Sequence, residues 1–120
     1  MASKPPPHHI TVEDIGDIAV VGFRDKRITE DLNIQAVGDD LVRLVDELGR
    51  RKVLLNFENV EFMSSAMFGK LPGLQNKLGA LQGKLVLCGL RKNLMDAMRL
   101  FTFDRKFTIL PDQATGLQAF

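Results

Sequence analysis

The chain has 120 residues, 45% of them hydrophobic, and its 16 basic and 15 acidic residues leave a formal charge of +1. That length makes one domain able to bury its own core, and so even a balance argues against nucleic acid or an anionic membrane as the main partner. The single cysteine, Cys88, excludes an internal disulfide, and no apolar run reaches the roughly 20 residues of a membrane span, so no membrane insertion and a cytoplasmic location are expected.

Residues 1–9 carry three consecutive prolines and both histidines. They hold too little apolar surface to pack and are expected to form a disordered tail ahead of a domain spanning 10–120. Two neighbouring histidines in such a tail lack the converging ligands of a metal site, and no metal or other cofactor is expected. Residues 10–15 alternate apolar and polar side chains, as a strand with one wet face does. After Gly16-Asp17, residues 18–23 form a more continuous apolar run, and the two stretches predict an antiparallel hairpin with the second strand more buried.

Ile34, Val37, Leu41, Leu44 and Leu48 then recur at helical spacing, with Leu32 and Val45 widening the stripe and Gly49 ending it. Asp39, Asp40, Asp46 and Glu47 lie off that stripe and read as a solvated face, with an acidic docking surface as the alternative. Residues 53–57 read as the central strand. A second helix follows Ser64-Ser65, with Met67, Phe68, Leu71, Leu74, Leu78 and Leu81 as its apolar positions. A kink is expected near Lys70–Leu71, because Pro72 cannot donate an N–H to the carbonyl of Phe68. Residues 84–89 make another buried strand, and Leu90, Leu94, Ala97, Met98 and Phe101 mark one face of a third helix. Residues 106–110 are a last short strand, after which Pro111 can open a final helix ending in Leu117 and Phe120. The order β-β-α-β-α-β-α-β-α predicts an α/β fold: one domain, a mixed and mainly parallel sheet with an N-terminal hairpin, and about four helices.

Enzyme signatures are missing. Ser64 and Ser65 lie between Met63 and Met67 rather than in a Gly-x-Ser-x-Gly elbow, and neither nucleotide-binding glycine pattern occurs. Cys88 sits in mid-strand without a base and reads as a small core residue. Glu58 and Glu61, a conceivable carboxylate pair, flank a turn with no other polar groups converging on it. The chain is read as not an enzyme.

The segment from Val53 to Gly69 resembles the STAS domain, the fold of bacterial anti-sigma factor antagonists. Leu55-Asn56-Phe57, Val60, Phe62-Met63, Ser65 and Gly69 fall in register with that family's strand, turn and helix start. The resemblance runs over nearly all of residues 10–120 and implies the same element order. It also implies a partner, an anti-sigma factor that is a serine kinase. In the family the unmodified protein binds that kinase, which then releases its sigma factor; phosphorylation of the second serine in Asp-Ser-Ser prevents binding. The pattern departs here at the acceptor. Ser64 stands where the family has Asp, Ser65 where it has the first serine, Ala66 at the acceptor and Met67 at the following glycine.

The expected partner-binding residues are therefore Asn59, Glu61, Met63, Ser64, Ser65, Ala66 and Met67, with Ser65 and then Ser64 as phosphoacceptor candidates. With Ser64 as the helix N-cap, Met63 and Phe68 are placed for a hydrophobic staple. Its hydroxyl should then bond a backbone N–H, a contact of about 1 kcal/mol. Ser65 becomes the exposed first helical residue, where the helix dipole favours phosphate. Phe68 is expected inside and Met67 at least partly outside. A homodimer stays open. So does an alternative function: a constitutive scaffold, or a subunit of a larger signalling or lipid-transport assembly, not switched by phosphorylation.

Overall fold

A computed structural model describes residues 9–120, so the expectation of a tail at residues 1–8 lies outside the described residues. His9 is the first described residue. Its Nδ1 lies 2.9 Å from Asp25 Oδ2, and its backbone N–H donates to Asp40 Oδ2 at 3.3 Å. Two carboxylates thus meet it at the start of the domain.

The hairpin is present as β1 (Ile10–Ile15) and β2 (Ile18–Phe23), antiparallel and joined by Gly16 at φ 61°. The chain continues through β3 (Arg27–Ile28), α1 (Asp31–Asp46), β4 (Lys52–Asn56), β5 (Phe62–Met63), α2 (Ser65–Phe68) and α3 (Leu71–Ala80). It closes with β6 (Lys84–Cys88), α4 (Lys92–Leu100), β7 (Thr108–Leu110) and α5 (Gln113–Leu117). The main sheet has the order β1-β2-β4-β6-β7, parallel except at β1. The expected α/β fold is this one, with the second of its four helices divided into α2 and α3.

Strand alternation sorts the core into two clusters. Val53, Leu55, Leu85 and Leu87 face one way and meet the buried stripes of α1, α3 and α4. Leu54, Val86 and Cys88 face the other way and meet Leu117 and Phe120. Helix α5 lies close on that second face because Gly116 has no side chain; a Cβ there would stand 2.8 Å from Leu54 Cδ1. Phenylalanines fill the large gaps on the first face. Phe23 stacks on Phe57 at 4.8 Å, and Phe68 meets Phe101 at 5.6 Å.

Several local expectations are corrected. Leu32 and Leu48 are 83% and 61% exposed, because one lies in the first turn of α1 and the other beyond its last, past the cover of the sheet. Leu81, past the end of α3, is exposed for the same reason. Val12 and Ile15 are also exposed, on an edge strand that the helices do not reach. The kink expected near Lys70–Leu71 is a full break: α2 ends at Phe68 and α3 begins at Leu71, with Pro72 in the first turn where it needs no partner for an N–H. The last helix starts at Gln113 rather than at Pro111. Asp112 caps it, accepting the Thr115 N–H at 2.9 Å, and the helix stops at Leu117. The pair β3 and β5, parallel and two residues each, was not anticipated; strands that short leave no periodicity to read. Among the described residues no helix is long and apolar enough to cross a membrane.

Candidate functional site

The loop from β4 to α2 is built on Asn56. Its Oδ1 accepts the Glu58 N–H at 2.9 Å, turning the chain out of the strand, while its Nδ2 donates to Gln113 Oε1 at 3.2 Å. Gly89, at φ 72°, makes room: a Cβ there would stand 2.8 Å from Asn56 Oδ1. Phe57 and Val60 are buried, and the Val60 N–H closes a turn on the Phe57 carbonyl at 2.8 Å.

Neighbouring segments then hold the loop from both sides. Asn59 Nδ2 donates to the Phe23 carbonyl at 2.8 Å, and Asn93 Nδ2 to the Glu61 carbonyl at 2.8 Å. Arg91 Nη2 reaches the Glu58 carbonyl at 3.4 Å. The Lys26 carbonyl accepts the N–H groups of Glu61 and Phe62, and the Ile28 carbonyl accepts that of Ser64. These bonds make β3 and β5 a clip across the base of the loop.

Beyond the clip the chain turns into α2. Ser64 has the extended backbone of an N-cap, φ −76° and ψ 163°, and its carbonyl accepts the N–H groups of Met67 and Phe68 at 3.0 and 3.2 Å. The expected side-chain cap is absent. Ser64 Oγ is buried without a hydrogen-bond partner and bonds none of the free N–H groups of the helix. Ser65 and Ala66 are exposed. Met67 is fully buried, which overturns the expectation that it stands partly outside. A helix of one turn has a single inner face, and Met67 and Phe68 occupy it together. Met63 is half-buried against the main cluster that Phe68 also joins, consistent with the staple positions.

The loop's expected residues therefore separate. Ser65 and Ala66 are offered to solvent with no side-chain hydrogen bond, Asn59 is exposed but spends its amide on Phe23, and Glu61 is half-buried. Phe62, not among the expected partner-binding residues, is 46% exposed and carries the Arg27 guanidinium 4.6 Å from its ring centroid. The only sign of this in the sequence was an aromatic residue directly before Met63 and the serines. The pairing itself depends on β3 and β5, so the sequence did not reveal it.

His9 is bound to Asp25, and no side chain hydrogen-bonds Ser64 Oγ. Burial, and after it the nearby carboxylates of Asp112 and Glu58, push the Cys88 thiol up to about 11, so it is a poor thiolate. Among the described residues no three metal-ligating side chains converge. An exposed corner on a fixed frame suits recognition.

The STAS domain family model matches residues 12–116. No curated protein matches the chain in sequence. Among solved structures the fold is similar to an anti-sigma factor antagonist from Mycobacterium paratuberculosis, at TM-score 0.81 and 21% identity over 98% of this chain and 97% of that one. A STAS domain protein from Planctomyces limnophilus, also an anti-sigma-factor antagonist, gives 0.80 and 19% over 92% and 95%. The Bacillus cell fate determinant SpoIIAA, solved in its phosphorylated form, gives 0.70 and 12% over 92% and 99%.

Proposed function

The chain belongs to the STAS domain family, and from that premise we propose that it is a non-enzymatic, cytoplasmic signalling module that binds an anti-sigma factor of the serine-kinase type and so regulates release of a sigma factor. The observation that carries this reading is the exposed Ser65-Ala66 corner, raised on a loop whose base is tied by Asn59, Asn93 and the β3–β5 clip. A rigid frame lowers the entropy lost when a partner docks. Phe62 under Arg27 adds an apolar and cationic neighbour to that surface. Calorimetric titration against the anti-sigma kinases encoded in the same genome tests it. Saturable binding to one of them is expected; a folded protein that binds none would end the antagonist reading.

Ser65 is the phosphoacceptor we propose. Its side chain is exposed, whereas Ser64 Oγ is buried and out of a kinase's reach in this conformation. A phosphate there adds about −1.5 to −2 charges at the docking corner. Incubation with the partner kinase and ATP should modify the wild type and leave Ser65→Ala unmodified. Equal modification of both would move the acceptor elsewhere. Ala66 at the family's acceptor position favours a second reading, a constitutive scaffold or assembly subunit. Under that reading the partner binds and no kinase modifies the loop.

A further inference from the structure

Helices α1 and α3 leave a groove of about 360 Å³ between them, within the range of small-molecule sites, about 300–1,000 Å³. Leu41, Val42 and Leu74 give it apolar walls, and three glycines give it room: Gly38 on α1, with Gly69 and Gly73 opposite. At Gly73 an added Cβ would meet nothing within 4 Å.

The charges around the groove are unevenly satisfied. Lys77 pairs with Asp46 at 3.0 Å, and Asp39 accepts the Gln35 amide at 2.9 Å. Lys70 lies flat across Gly38, where a Cβ would stand 2.8 Å from its Cδ and 3.4 Å from its Nζ. Among the described residues no carboxylate lies within ion-pair distance of that ammonium. An apolar trough thus ends at an unpaired cation.

We propose that this groove binds a small amphiphilic anion, a carboxylate on a short alkyl chain, with the chain between Leu41, Val42 and Leu74 and the carboxylate on Lys70. Such a ligand covers the apolar walls and pairs the lysine at once; a neutral one does only the first. The site lies one turn from the exposed corner, since the Gly69 N–H donates to the Ser65 carbonyl at 2.9 Å. A bound ligand would stand beside that corner.

Amide NMR spectra of the whole protein, titrated with sodium octanoate and separately with octanol, test this. Octanoate should give saturable shifts centred on Gly38, Val42, Gly69, Lys70 and Gly73, and octanol weaker ones. Lys70→Gln should weaken octanoate about tenfold, as loss of one charge-assisted contact does, and leave octanol unchanged. Gly73→Leu puts a side chain into the groove at a position where an added Cβ meets nothing within 4 Å, replaces glycine by a better helix former and should abolish both titrations. The proposal is overturned if the groove amides do not shift, if the shifts lie elsewhere, or if Lys70→Gln leaves octanoate binding unchanged. No partner protein enters the experiment, so its failure and a failure of the antagonist reading are separate results.

Discussion

The two ends of the loop between β4 and α2 are built by opposite rules. At its root, Asn56 to Asn59, both amide side chains are spent inside the protein and Phe57 is sealed in the core. At its tip, Ser65 and Ala66 face solvent, and the one buried polar atom, Ser64 Oγ, bonds to nothing. The root therefore carries the energy and the tip carries little. A recognition surface needs that division, because its exposed residues can change without unfolding the domain.

The largest expected effect is at the root. Phe57→Ala removes a fully buried ring stacked on Phe23 and should cost about 3–5 kcal/mol, read by urea unfolding. A cost no greater than that of an exposed-site substitution would break the contrast. Next comes the last residue of the root: Asn59→Ala leaves the Phe23 carbonyl without its amide donor and should cost about 1 kcal/mol. Hydrogen exchange at the Glu61, Phe62 and Ser64 amides should speed up in Asn93→Ala before the sheet amides respond.

Smaller still is Ser64→Ala. A capping hydroxyl would be worth about 1 kcal/mol, but removing a buried one with no partner should cost nothing and should stabilise by up to about 1 kcal/mol, the desolvation penalty it no longer bears. A loss of a full kcal/mol in unfolding experiments would restore the cap and erase the difference between root and tip.

The smallest effect concerns α5, whose Gln113 holds Asn56. The Thr115 backbone N–H, and then its hydroxyl, hold Asp112 below the usual carboxylate range. A depressed folded value means its stabilisation is complete above the ordinary carboxylate pKa and is lost as pH falls through the lower folded one. The stability gap between wild type and Asp112→Ala should therefore narrow on acidification. A gap that stays constant with pH would remove Asp112 from the account.

The sequence made the frame legible and the fine structure of the site less so. Periodicity located the hairpin, α1 and the buried strands, because Val53 to Phe57 and Leu85 to Cys88 are long enough to state their burial. It misjudged Leu32 and Leu48, since spacing alone does not say where a helix outruns its sheet. It also placed Met67 outside, because a one-turn helix has no repeat from which to read a face. Ser64 was correctly read as the N-cap position, yet the direction of its hydroxyl is a tertiary property. The β3–β5 clip and Arg27 over Phe62 depend on segments more than 30 residues apart and leave no local sign.

The central claim is that the tip, and specifically Ser65, meets the partner. Its most direct test is the affinity of the proposed anti-sigma kinase partner for Ser65→Glu, with Gln118→Glu on the far face as the charge control. Ser65→Glu should weaken binding at least about tenfold, which is about 1.4 kcal/mol, while Gln118→Glu should bind as wild type does. Equal affinity for the two variants would contradict it.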